Sequence, residues 1–246
     1  MMNKASKRGV PRKAAAIRAE MSGLELDARR AQRLKATEVL QGGRTPLTLI
    51  GVAEQGATIA EHAVGQATRI DPPASSACKE GCDWCCHLTV GTSVPEVVRI
   101  VTYLRENLLA EELRAAHHRV ARADDERRKL PPSRRESARF PCALLVDHRC
   151  CAYAVRPLTC RGFNSADASR CEQFVTSRSR VEIPAYQPQQ RVMTFVLDGT
   201  RAALQAAGLK DDLLELSAAL RIALEQPDAV DRWLAGQPAF AAARLD

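Results

Sequence analysis

Aromatic residues are scarce: Phe, Trp and Tyr make up 4% of the 246 residues, and the apolar content rests on Ala, Leu and Val. That composition suits helices and argues against a sandwich of aromatic and β-branched strands. No apolar run approaches the roughly 20 residues that span a bilayer. The amino-terminal segment is charged and has no apolar stretch of the kind a secretion signal carries. The expected location is therefore the reducing cytoplasm, with no membrane contact. There is also no HExxH, GxSxG, phosphate-binding P-loop or Gly-rich dinucleotide turn, so no familiar hydrolytic or nucleotide chemistry is signalled.

Acidic residues are missing from the first 19 positions, and residues 1–44 carry eleven Lys and Arg against four Asp and Glu. The remaining chain holds 25 of each sign, so the net charge of +7 describes a leader and a first helix rather than a basic protein. No aromatic is interleaved there for base stacking. We therefore read the arm as solvated rather than as a nucleic-acid surface, and leave a protein partner open.

Cysteine is absent from residues 1–77 and 172–246, yet nine cysteines lie between these arms. Four fall in the stretch Cys78-Lys-Glu-Gly-Cys82-Asp-Trp-Cys85-Cys86-His87, and Cys142, Cys150, Cys151, Cys160 and Cys171 follow. In a reducing compartment such clustering points to metal or redox chemistry rather than disulfides, and an odd count fits a fully paired framework poorly. Thiolates are the soft ligands that zinc and iron–sulfur clusters select. Closely spaced ligands also lower the loop-closure cost of gathering them. Cys78, Cys82 and Cys85, at i, i+4 and i+7, would share one face of helical turns, with Cys86 pointing elsewhere. Isolated cysteines such as Cys151 and Cys171 are equally readable as small buried apolar residues. His87 and His148 adjoin the thiols and are expected beside, rather than on, an ion. Arg156 and Arg161 bracket Cys160 and would offset thiolate charge.

The arms read as helices. Residues 13–40 place Ile17, Met21, Leu24, Ala28 and Ala31 on one stripe and end at Gly42-Gly43. A second helix from Pro46 carries Ile50, Ala53, Ala57, Ala60, Val64 and Ala67, making an antiparallel hairpin over 13–70. Ser93-Val94-Pro95-Glu96 reads as a capping box opening a helix that is expected to run on past Leu113. Residues 114–139 are charge-dense and read as a solvated helix end and linker. Helices split near Gly208 form a C-terminal arm over 184–246. The fold class expected is mainly α, with helical arms around a small, loop-rich cysteine-cluster metal-binding core at 75–175 and a disordered basic leader at 1–12.

Cys78-x3-Cys82-x2-Cys85-Cys86, Phe140-Pro-Cys142-Ala-Leu-Leu145 and Cys150-Cys151-Ala-Tyr-Ala-Val-Arg156-Pro-Leu-Thr-Cys160-Arg161-Gly-Phe163 together resemble the CxxCxxCC, or YkgJ, cysteine-cluster family. Its members are described as zinc- or iron-chelating proteins, mostly without an assigned reaction. The resemblance implies metal ligands at Cys78, Cys82, Cys85, Cys86, Cys142, Cys150 and Cys160, with Cys171 at a plausible distance. Cys151 stands where the family usually has another residue. A relative, the flagellin lysine N-methylase, is an iron–sulfur enzyme using S-adenosylmethionine. The first three cysteines also resemble a radical S-adenosylmethionine motif, but the barrel strands such enzymes need are missing. The sequence thus leads to a protein that chelates zinc or iron, as an ion or an iron–sulfur cluster, in a structural or storage role. The alternative is an iron–sulfur enzyme akin to the lysine methylase. A thiol redox sensor built on the adjacent pairs Cys85-Cys86 and Cys150-Cys151 is a further reading.

Overall fold

A computed structural model describes residues 12–177 and 180–245. Apart from Arg12, the basic leader expected over 1–12 lies outside them. The first helix, α1 (Arg12–Gln41), is followed after a two-glycine break by α2 (Pro46–Ile70). Thr45 caps α2, accepting from the Thr48 amide while the Thr48 hydroxyl accepts from the Thr45 amide. That satisfies amides a helix start otherwise leaves unpaired.

The buried positions of α1 are Met21, Glu25, Ala28, Gln32, Ala36 and Leu40. The stripe therefore runs deeper into polar residues than the apolar pattern indicates, and Ile17, Leu24 and Ala31 are only half-buried. The polar members are paired across helices. Glu25 meets Arg191 at 2.6 Å, and the Gln32 side-chain amide donates to the Val52 carbonyl (3.1 Å) and the Thr200 hydroxyl (2.9 Å). Burial without such partners would be costly.

Beyond α2 the chain forms a short strand, β1 (Gly91–Thr92), and then α3 (Val94–Asn107). The capping box is present, with Glu96 accepting from the Ser93 amide. Where one continuous helix was expected, the chain breaks at Leu108–Leu109 and restarts as α4 (Ala110–Arg128). Glu112 accepts from the Leu109 amide at that restart. The charge-dense segment is not simply solvated: Ala116, Val120, Asp124 and Arg127 are buried. Asp124 is held by Arg128 and Arg221, and Arg127 lies 3.3 Å from Glu215.

The remaining elements are α5 (Pro132–Arg135), β2 (Leu145–Val146), β3 (Arg149–Cys150), α6 (Leu158–Gly162), α7 (Ala168–Thr176), α8 (Gln187–Ala206), β4 (Leu214–Glu215), α9 (Leu216–Glu225) and α10 (Ala229–Leu234). β1 pairs antiparallel with β4, Gly91 opposite Glu215, and β2 pairs with β3, Leu145 opposite Cys150. The main core joins α3 and α9, with Val97, Ile100, Leu104, Leu214 and Leu220 fully enclosed. A second core lies among α1, α2 and α8, built on Ala28, Ala60, Val192 and Val196.

The fold is thus a mainly α-helical bundle with two small antiparallel strand pairs. The expected loop-rich metal core is corrected here. The segment between α2 and α6 is not a nest around an ion, and several of its cysteines pack against the same apolar core as α3 and α9. No described helix is long and apolar enough to cross a membrane.

Candidate thiol site

The first cysteine group does not lie on a helix face. Residues 78–83 form an irregular turn, with Gly81 at φ +83°, a left-handed value that glycine adopts without strain, and the Cys82 amide donating to the Lys79 carbonyl (3.0 Å). Only Trp84–His87 are helical, as a single 3₁₀ turn that Cys85 and Cys86 share. The second group is brought beside the first by backbone pairing. The Cys142 amide donates to the Cys86 carbonyl at 2.7 Å, and the Cys151 amide to the Leu144 carbonyl at 2.9 Å. The β2–β3 hairpin turns on Asp147 and His148, both at positive φ (47° and 62°). Such a two-residue turn matches the twist of the flanking strands and fixes the position of Cys150. His148 Nδ1 lies 3.0 Å from an Asp83 carboxylate oxygen, tying the hairpin tip to the first cysteine segment.

The thiols fall into two neighbourhoods. Cys82 is within electrostatic reach of Cys78, Cys85 and Cys171. Cys85, Cys86, Cys142, Cys150 and Cys160 form the second. In it the Cys86 thiol neighbours the Cys85 sulfur on the same 3₁₀ turn and favours a thiolate there. The neighbouring Cys86 thiol is the main reason the Cys85 pKa falls from an ordinary value near 9 to about 7, with smaller contributions from its own backbone amide and the Arg156 guanidinium. The same interaction with Cys85, then burial, then the neighbouring charge at Cys85 push Cys86 strongly up. Burial raises Cys142 to about 12 and also raises Cys82, Cys150, Cys151 and Cys160. One thiol is thus favoured as a thiolate among several held protonated.

These arrangements overturn the metal reading. Among the described residues no group of three or more His, Cys, Asp or Glu is placed to hold an ion. Cys78 is exposed, its sulfur near the Ser165 carbonyl (3.9 Å), and Cys171 is half-buried on α7. Cys85 and Cys86 are spent on each other. Cys142, Cys150, Cys151 and Cys160 pack against the main apolar core, and Cys151 neighbours the Arg119 guanidinium, which donates to the Ala143 carbonyl (3.0 Å). An ion needs several sulfurs converging at one point, whereas these are turned to different partners. The expected ligand set Cys78, Cys82, Cys85, Cys86, Cys142, Cys150, Cys160 and Cys171 is therefore not assembled as a metal centre. With it go zinc, iron and iron–sulfur cofactors, the metal ion as partner, chelation as function, and the iron–sulfur methylase alternative. All nine cysteines are free thiols.

No protein-family model, no curated protein and no solved structure matches the chain. The resemblance to the CxxCxxCC family is corrected on the same ground: the spacing is present in the sequence, but the ion-holding arrangement it implies is not.

Arg156 and Arg161, singled out beside Cys160, do serve the neighbourhood. Arg156 lowers both Cys85 and Cys150, and Arg161 is locked by the Arg156 and Ala154 carbonyls (3.0 and 2.8 Å). Two residues that sequence reasoning missed complete the picture. Glu96 accepts from the Leu158 amide (2.7 Å) and so fixes the start of the helix carrying Cys160, while Arg99 joins Arg156 and Arg161 around one cavity. Neither has a local signal beyond the capping box, because their partners lie some sixty residues on.

Proposed function

We propose that this chain is a thiol-based redox sensor that works by thiol–disulfide exchange, with Cys85 as the attacking thiolate. The single observation carrying the reading is the placement of Cys85 and Cys86 side by side on one 3₁₀ turn, where the Cys86 thiol favours a Cys85 thiolate. A thiolate near pH 7 is the nucleophile such exchange needs, and a pKa close to ambient is where the attack is fastest. The reading places the chain in a reducing compartment, where free thiols are the resting state.

The chemistry balances with two thiols and one external disulfide. The Cys85 thiolate attacks one sulfur of R–S–S–R, forming a mixed disulfide and releasing one RS⁻. A second protein thiol then loses its proton to solvent and attacks the Cys85 sulfur, releasing the second RS⁻. The protein gains one disulfide and the external disulfide is reduced to two thiols. We assign the resolving role to Cys150, which lies within electrostatic reach of Cys85 and sits on a two-residue strand beside a tight turn. Closing a disulfide between adjacent Cys85 and Cys86 would strain the backbone between them, and Cys160 is held inside α6.

The test is thiol counting with peptide mapping. Reduced protein equilibrated with glutathione disulfide is expected to lose two thiols and yield a Cys85–Cys150 cross-link. Substituting Cys85→Ser should abolish that loss, whereas Cys150→Ser should leave a mixed disulfide on Cys85. An unchanged thiol count in the wild type would contradict the reading.

A further inference from the structure

A cavity of about 590 Å³ opens between α2, α3 and the turn leading into α6. It is lined by three guanidinium groups, Arg99, Arg156 and Arg161, with Glu54, Glu61 and Tyr153. Its size falls in the range of small-molecule sites.

The three arginines are not equally satisfied. Arg161 is committed: it is paired with Glu61 and bonded to two backbone carbonyls. Arg156 donates to the Tyr153 carbonyl (3.2 Å) and lies 3.8 Å over the Tyr153 ring, which leaves most of its fork unused. The Arg99 Nε is buried with no hydrogen-bond partner, and the nearest carboxylate oxygen, on Glu54, stands off at 3.8 Å. A buried donor left unpaired is costly, and three cations facing one space repel each other. Both carboxylates are more than half exposed, at 57% and 62% of the side chain, so they offset little of that charge.

We propose that this cavity is a binding site for a phosphate group, with Arg99 and Arg156 as its principal donors and Arg161 as the residue that positions Arg156. Guanidinium forks match oxyanions through paired hydrogen bonds. The forks of Arg99 and Arg156 arrive from α3 and from the second residue before α6. A tetrahedral phosphate offers oxygens in three directions and carries up to two negative charges, so it can serve both. A planar carboxylate offers one edge and one charge. No cysteine lines the cavity, so the proposal does not rest on the thiol reading, although Arg156 also neighbours Cys85 and Cys150.

The experiment is calorimetric titration of the full reduced chain with inorganic phosphate, methyl phosphate and acetate at constant ionic strength. Saturable binding of either phosphate, with acetate at least about tenfold weaker, is expected. Tighter methyl phosphate would mark a phosphomonoester site, and tighter inorganic phosphate a free-phosphate site. Arg156→Gln should weaken binding about tenfold, as should Arg99→Gln in a sample shown by circular dichroism to be folded. Glu54→Gln, at an exposed position that folding tolerates, should tighten binding several-fold by removing the competing carboxylate. Absence of saturation below roughly 50 mM phosphate, equal binding of acetate, or affinities unmoved by Arg156→Gln and Glu54→Gln would overturn the proposal.

Discussion

Replacing Glu96 with alanine is expected to destabilise the protein by about 3 kcal/mol or more, read as a fall in the urea midpoint at unchanged slope. One buried carboxylate here serves four donors. Its Oε2 accepts from the Thr92 hydroxyl (3.1 Å), the Ser93 amide (2.9 Å) and the Ser93 hydroxyl (2.9 Å), and its Oε1 accepts from the Leu158 amide (2.7 Å). The last bond matters most, because α6 follows Pro157, which offers no side-chain cap of its own. Glu96 on α3 is therefore the cap of a helix 62 residues away. Truncation strands two buried amides and removes the capping box of α3 together. Glu96→Gln keeps the shape but turns one oxygen into a donor facing donors, so it should cost about half as much. An unchanged midpoint for Glu96→Ala would mean the four bonds do not form.

Gly199→Ala is expected to cost about 2–3 kcal/mol, although alanine is the better helix former. Gly199 lies where α8 crosses α1. A Cβ there would stand 2.5 Å from the Arg29 carbonyl oxygen and 3.0 Å from the Gln32 Cβ. The first neighbour is backbone, so α1 and α8 would have to separate, and Gln32 would be pulled from Thr200 and Val52. Gly65 on α2 is the control, since nothing lies within 4 Å of its added Cβ. Gly65→Ala should stabilise by up to about 1 kcal/mol. Thermal melts of the two variants should therefore shift in opposite directions. A shared direction would show that the α1–α8 crossing is looser than described.

The helices were legible because their patterns are local. The Ser93–Glu96 capping box and the alanine stripe of α2 each describe contacts within a few residues. What the stripe on α1 does not reveal is that Glu25 and Gln32 are buried. Their partners Arg191 and Thr200 stand more than 160 residues away, and a polar side chain gives no sign of burial until its partner is known. Charge density over 114–139 misleads for the same reason, since Asp124 finds Arg221 and Arg127 approaches Glu215 across the bundle. The cysteines fail differently. Their spacing brings the two segments together, as the Cys86–Cys142 backbone bond attests, yet it says nothing of where each sulfur turns. Cys142 and Cys160 turn to the apolar core and Cys151 to Arg119, so closeness along the chain does not become an ion site.

The account rests on one unequal pair of thiols, and its most direct test is the pH dependence of alkylation in the fully reduced chain. Cys85 is lowered to about 7 by the Cys86 thiol, so its thiolate is half-formed near neutrality and its labelling by iodoacetamide should rise through pH 7. Cys142, raised to about 12, should stay unlabelled over the same range. In Cys86→Ala that thiol is gone, and the Cys85 midpoint should climb towards the ordinary thiol value near 9. A Cys85 midpoint near 9 in the wild type, or one unmoved by Cys86→Ala, would contradict the account.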